Sequence, residues 1–265
     1  MPEGDSIRRV ANRLALAVGK VIERATTQGI ERGIAGQAIA KVDAHGKHLL
    51  IDLANQTQIR VHLGMNGRVR YYDRAVGERV LTRMSPGKAS LALVMPDAVY
   101  IWVQAKTVEI ADRRTPMRGL AVASLGADIL AADFDAEAAA GRAAAYAHRT
   151  IADVLLDQRV VAGIGNIFKC EALFACRVDP RTPVERVPLT RLAQIYRAAA
   201  DLMNASVDGN RQQALAPSEP MHADRFAVYS RSGKPCKLCG AAIESYQLGD
   251  PPRWTWSCPS CQPRG

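Results

Sequence analysis

The sequence has no run of about 18 apolar residues, so no segment reads as a membrane-spanning helix. The first 20 residues also lack the unbroken apolar core of a signal peptide, because Glu3, Asp5, Arg8, Arg9 and Arg13 interrupt them. A cytosolic protein is expected, with its thiols reduced, and the six cysteines therefore do not read as a disulfide framework. No internal repeat is present. A content of 48% hydrophobic and 23% charged residues lies near the globular average and excludes fibrous and low-complexity classes. Acidic residues are in deficit, 26 against 35 basic ones, for a formal charge of +9 and a pI near 9.5. Such a balance favours a polyanionic partner, whose phosphates attract the protein and release counterions on binding, over an acidic small metabolite. The 265 residues suffice for two domains, or for one domain with an attachment.

Residues 3–18, "EGDSIRRVANRLALAV", set Ile7, Val10 and Leu14 at helical spacing and Arg8, Arg9, Asn12 and Arg13 opposite them. An amphipathic helix with Asp5 or Ser6 as its cap is expected, which would fix Pro2 and Glu3 against a folded body. From about 20 to 110 the period changes to two. "HLLIDL", "QIRVHLGM", "GRVRYY", "SLALVM" and "VYIWV" are short apolar runs divided by Gly, Asn, Asp and Pro, the pattern of an antiparallel β-sandwich or flattened barrel. Near residue 126 the chain turns to alanine-rich helix, with a shorter pair, "IADVLLDQ" and "NIFKCEALFACRV", in the middle. "LAPSEPMHADR" is polar, carries two prolines and connects to a last small module. The expected fold class is α+β and multidomain. A sandwich domain over 1–126 precedes a helical domain over 127–222 and a cysteine module over 223–265.

That module contains "CKLCG" and "CPSC". Cys236, Cys239, Cys258 and Cys261 stand two apart within pairs and 18 apart between them, the spacing of a four-thiolate structural zinc site. Redox use of the CxxC pairs is the competing reading, against which the doubling of the motif speaks. Four thiolates close the coordination shell, so one Zn²⁺ is expected to hold the fold and not to touch substrate. Between the pairs "GDPPRWTWSC" reads as a β-hairpin with Arg253 near its tip, and Trp254 and Trp256 are expected to pack the knuckle. Cys170 and Cys176 read as ordinary helix residues. No histidine is given a role, although His45 and His48 flank Lys47.

"AGIGNIF" sets Gly163, Gly165 and Asn166 between two helices, with Asn166 where an N-cap belongs. Backbone N–H groups at such a start can hold a phosphate. Taken alone, this is an interhelical turn.

Three ordered patterns agree: "MPEGD" at the start, "LLDQRVVAGIGNIFKCEALF" in the middle, and the four-cysteine module with Arg253. Together they resemble, over essentially the full chain, the bacterial formamidopyrimidine-DNA glycosylase and endonuclease VIII family of base-excision repair enzymes. The resemblance implies that Met1 is removed and that the Pro2 amine attacks C1′ of a damaged nucleoside. It implies Glu3 as the acid and base of sugar opening and Lys47 of "HGKHLLIDL" as a further catalytic group. Arg253 corresponds to the finger arginine that grips phosphates and assists the second elimination, and Gly165 and Asn166 to the helix-two-turn-helix that meets the same backbone. Met65 of "HLGMNG" resembles the wedge with which the formamidopyrimidine branch fills the gap left by an extruded nucleotide. One branch carries an arginine and a phenylalanine on a second loop. Near "VQAKTVEIADRR" no such pair stands, which favours the endonuclease VIII branch and oxidised pyrimidines.

The implied partner is damaged double-stranded DNA, with single strands or bubbles as alternatives, bound by a monomer in the bacterial cytosol. The implied activity is bifunctional, base removal followed by β,δ-elimination. Three other readings stay open: an oxidised-purine glycosylase, an abasic-site lyase with little base removal, and a damage-binding module. Base selectivity is expected to reside in loops such as 210–225.

Overall fold

A computed structural model of the chain describes residues 2–113, 122–209 and 226–264. The chain forms two compact units that divide between Ala123 and Ser124. Residues 226–264 share the second unit with the helical segment.

The first unit opens with helix α1 (Gly4–Leu14), whose Ile7, Ala11 and Leu14 form one buried stripe. Its N-cap residue is Glu3, and neither Asp5 nor Ser6 caps it, in contrast to the sequence expectation. Both lie inside the first turn, where the Asp5 carboxylate accepts from Arg9 at 2.8 Å and the Ser6 hydroxyl donates to Asp5. An acid in this position still favours the helix, since it faces the positive end of the dipole.

Nine strands follow: β1 (Arg24–Thr27), β2 (Ile30–Glu31), β3 (Ile39–His45), β4 (His48–Leu53), β5 (Thr57–His62), β6 (Arg68–Asp73), β7 (Ala89–Val94), β8 (Ala98–Val103) and β9 (Thr107–Asp112). They form two antiparallel sheets, in the orders β2-β1-β7-β8-β6 and β3-β4-β5-β9. In β4 every second residue, Leu49, Ile51 and Leu53, is buried, the alternation of a strand with one face on a core. Ile51, Ile59 and Val61 of one sheet share that core with Leu91, Leu93 and Trp102 of the other and with Ile7 and Leu14 of α1. This is the expected sandwich.

Helix α2 (Arg74–Arg83) interrupts the period of two and was not expected. Its short apolar stripe, Val80 and Leu81, covers Val99 and Ile101 on the outer face of a sheet. A Cβ on Gly77 would lie 2.4 Å from the Val99 Cβ, so only glycine allows this approach of helix to strand.

The second unit runs through β10 (Ala127–Asp128), α3 (Ala136–Ala144), α4 (Ile151–Leu156), β11 (Val161–Ala162), α5 (Asn166–Ala175), α6 (Leu189–Gly209), β12 (Glu244–Leu248) and β13 (Arg253–Ser257). Asp135 and Thr150 cap α3 and α4 by accepting backbone N–H bonds. Ile151, Leu155, Ile164, Leu173, Ile195 and Tyr196 are among the residues of its core. Among the described residues no helix is long and apolar enough to cross a membrane.

Candidate active site and nucleic-acid interface

Pro2 is half-buried and Glu3 is 1% exposed. The Glu3 carbonyl accepts from the amides of Ser6 at 3.0 Å and Ile7 at 3.2 Å, so the chain is fixed from its first residues onward. Helix α1 lies on β3 and β4. Across that contact an Arg8 guanidinium nitrogen donates to the Ala44 carbonyl at 3.1 Å. Two and three residues later, Gly46 and Lys47 make the two-residue turn between the paired His45 and His48. The N-terminal pair and the turn that carries Lys47 thus belong to one rigidly bonded assembly.

At the same end of the sheet a row of partners runs His45, His48, His62, Thr107. The His48 and His62 rings touch at a tilt, with centroids 4.8 Å apart. Burial, followed by the nearby His62, Arg60, His45 and Lys47, pushes His48 down to about 3. Burial and the cations Lys106, Lys47 and Arg60 lower His62 as well. Near neutral pH both rings are therefore uncharged spacers between cations, and the positive field at this end comes from Lys47, Lys106 and Arg60. Arg60 is held by Glu109 across β5 and β9 at 2.7 Å.

Met65 sits on the turn after β5 and is 63% exposed. Gly64 beside it has φ +68°, and a Cβ there would lie 2.8 Å from the Lys106 Cβ, so this turn requires glycine.

In the second unit Gln158 clamps the turn between α4 and α5. Its amide nitrogen donates to the Leu156 and Ile164 carbonyls, and its oxygen accepts from the Gly163 N–H. Gly165, in extended backbone, is the N-cap residue of α5, and Asn166 is the first helical residue, one position beyond its expected place. That shift turns the Asn166 side chain inward. Its amide donates to the Trp254 carbonyl at 2.8 Å, and its oxygen accepts from the Lys169 ammonium at 2.8 Å. Lys169, 1% exposed, also donates to the Thr255 hydroxyl at 2.8 Å. Two residues on, the Glu171 carboxylate accepts from the amides of Ala227, Val228 and Tyr229 at 2.8, 3.0 and 2.9 Å. These bonds join α5 to both ends of the cysteine segment.

Arg253 opens β13, opposite Leu248 at the end of the β12–β13 hairpin, and is exposed. Trp256 packs the knuckle as expected, its ring 4.7 Å from that of Tyr229. Trp254 does not: it is 52% exposed, because the inward positions of β13 are Thr255 and Ser257.

The Sγ atoms of Cys236, Cys239, Cys258 and Cys261 lie within 4.8 Å of one another, close enough to share one metal ion. The donors fit a tetrahedral thiolate shell. Cys170 is buried in the same small core as Cys236 and Cys258, and Cys176 ends α5 as its C-cap residue, its thiol pushed up by burial.

Sequence reasoning passed over Gln158, Lys169 and Glu171. The available signal was a pair of charges inside "NIFKCEALF", a segment otherwise apolar enough to be core. Residues 210–225, expected to govern base selectivity, and 114–121, which follow β9, lie outside the described residues.

The sequence matches the formamidopyrimidine-DNA glycosylase N-terminal domain over residues 1–118 and the formamidopyrimidine-DNA glycosylase H2TH domain over 125–215. A Streptomyces coelicolor protein named "Probable endonuclease 8 2" is 33% identical, over 99% of this chain and 94% of its own length. The "DNA-(apurinic or apyrimidinic site) lyase Nei2" of Mycolicibacterium smegmatis is 32% identical, over 99% of each chain. The formamidopyrimidine-DNA glycosylase of Lactococcus lactis, solved with DNA containing an abasic site, shares the fold at a TM-score of 0.79 and 19% identity, over 99% of this chain and 100% of that one. With two domain matches in order and relatives aligned from end to end, the chain belongs to the formamidopyrimidine-DNA glycosylase and endonuclease VIII family.

Proposed function

We propose that the protein is a bifunctional DNA glycosylase and abasic-site lyase that excises oxidised pyrimidines. The observation that carries this reading is the N-terminal pair Pro2-Glu3, fixed at the foot of α1 on the hairpin whose turn is Lys47. With Met1 removed, Pro2 presents a secondary α-amine. Such an amine titrates near ~7.7–8.0, so a useful fraction is neutral at cellular pH, unlike a lysine.

Attack of this nitrogen on C1′ forms the C–N bond and expels the base. Protonation of O4′ from Glu3 opens the sugar to an iminium, cationic without a further proton. The iminium draws electrons from C2′, a proton leaves, and the 3′ phosphate departs by β-elimination. A second loss releases the 5′ phosphate, and water frees Pro2. Lys47 lies beside the sugar phosphates in this reading, Arg253 grips the phosphate that departs second, and the Gly165–Asn166 turn holds a neighbouring one through backbone N–H groups. Met65 enters the duplex as the base leaves it.

The four thiolates hold one structural Zn²⁺, which supplies folding free energy to the cysteine segment and takes no part in the reaction. Damaged duplex DNA in the bacterial cytosol is the substrate, bound by a monomer. The names of the relatives, endonuclease 8 and DNA-(apurinic or apyrimidinic site) lyase, support the endonuclease VIII branch and the lyase half of the activity.

Borohydride trapping on duplexes with 5-hydroxyuracil, 8-oxoguanine or a plain abasic site tests the reading. A covalent adduct with the pyrimidine lesion is expected. Preference for 8-oxoguanine would move the protein to the purine branch. An adduct with the abasic site alone would make it a lyase, the second reading that the M. smegmatis relative's name favours. No adduct would leave a damage-binding module.

A further inference from the structure

We propose that Trp254 is a nucleobase-stacking residue, which gives the protein a grip on unpaired nucleotides next to the phosphate held by Arg253. The inference rests on the DNA-binding reading above and deepens it. Of the three tryptophans, Trp102 is fully buried and Trp256 packs at a tilt against Tyr229, whereas Trp254 is half exposed and makes no ring contact among the described residues. An indole left in water on a short hairpin forgoes the gain of burial, about 25 cal/mol per Å² of apolar surface.

Its backbone is among the most firmly held in the unit. The Trp254 carbonyl accepts from Asn166, the next residue's hydroxyl accepts from buried Lys169, and Gln247 and Leu248 pair with Trp254 and Arg253 across the hairpin. The side chain is thus presented from a rigid support, directly after an exposed arginine and joined by a hydrogen bond to the first residue of α5. A flat aromatic face beside cationic phosphate donors matches a single strand, whose bases offer free π-faces to any platform. A paired and stacked duplex offers few such faces, so the contact acts chiefly where the strand is open. An apolar protein surface would fit the ring but leave the adjoining Arg253 and the charge of +9 without a counterpart.

Tryptophan fluorescence and anisotropy of a labelled oligonucleotide of about 12 nucleotides, single-stranded or fully paired, test this on the zinc-loaded full chain. The single strand is expected to quench the exposed indole. Trp254→Ala should abolish the quench and weaken single-strand binding roughly 5- to 150-fold, with less than about 2-fold loss on the duplex. Trp254→Phe should retain most of the affinity while losing the signal, which separates stacking from a folding defect. Unchanged single-strand affinity in Trp254→Ala, or an equal loss on both DNAs, would overturn the proposal. If the wild-type chain bound neither DNA, the DNA-binding reading itself would fail.

Discussion

The two units hold their candidate functional residues by different means. In the first, sheet register and tight turns set Lys47 and Met65: His45 pairs with His48 around a two-residue turn, and Gly64 permits the turn before Met65. In the second, polar side chains do so. Asn166 and Lys169 tie α5 to the hairpin of Arg253, Glu171 ties it to residues 227–229, Gln158 clamps the turn before it, and four thiolates gather the cysteine segment. Backbone ladders distribute their stability over many bonds, whereas a buried polar network fails when one member is lost. The second unit should therefore be the more sensitive of the two to single substitutions and to loss of metal.

The largest break in this contrast comes from the metal. Cys258→Ser, or chelation, should unfold the cysteine segment, since structural zinc contributes about 10–16 kcal/mol to comparable modules. DNA affinity should fall by roughly 100-fold or more through loss of phosphate contacts, while hydrogen exchange in β4 and β5 stays slow.

Lys169→Met ranks next. It leaves the Asn166 oxygen and the Thr255 hydroxyl without their donor, at about 1–3 kcal/mol for such buried groups. A lower melting temperature of the second unit and about tenfold weaker DNA binding are expected, measured by calorimetry and anisotropy.

Acid sharpens the contrast in the opposite direction. His48 has its native value lowered to about 3, so the unfolded chain takes up the proton first. Its contribution to stability is complete above the ordinary value of about 6.5 and is lost as pH falls toward 3. Asp157 of the second unit accepts from Arg159 and Arg149, and chiefly the Arg159 bond holds its carboxyl below the usual range. That contribution is complete above about 3.9 and declines only below it. Between pH 4 and 6, then, exchange should accelerate in β4 and β5 but not in α4 and α5, and His48→Phe should reduce the difference to the part that His62 contributes.

The smallest effect is a gain. The Tyr196 hydroxyl is buried without a hydrogen-bond partner among the described residues. Tyr196→Phe should leave stability unchanged or raise it by up to about 1 kcal/mol, read from a urea midpoint.

The same contrast governs what was legible in the sequence. Strands of the first unit showed as short apolar runs, in β4 with a period of two because one face of that strand is core. Helix α2 escaped because its stripe is only Val80 and Leu81, and what fixes it is a helix-to-strand contact at Gly77 that a linear pattern does not carry. In the second unit the cysteine spacing and the Gly163–Gly165 turn were readable as local geometry. The inward turn of Asn166 and the burial of Lys169 were not, since both depend on a hairpin some 90 residues later in the chain, and the exposure of Trp254 depends on the register of that hairpin itself.

The central claim, that Pro2 supplies the attacking amine, is tested most directly by locating the cross-link. The borohydride-reduced adduct with 5-hydroxyuracil DNA should be digested and its peptides sequenced by mass spectrometry. Sugar mass on an N-terminal peptide that begins at Pro2 is the predicted result. An adduct on Lys47 or another lysine, with Pro2 unmodified, would contradict it.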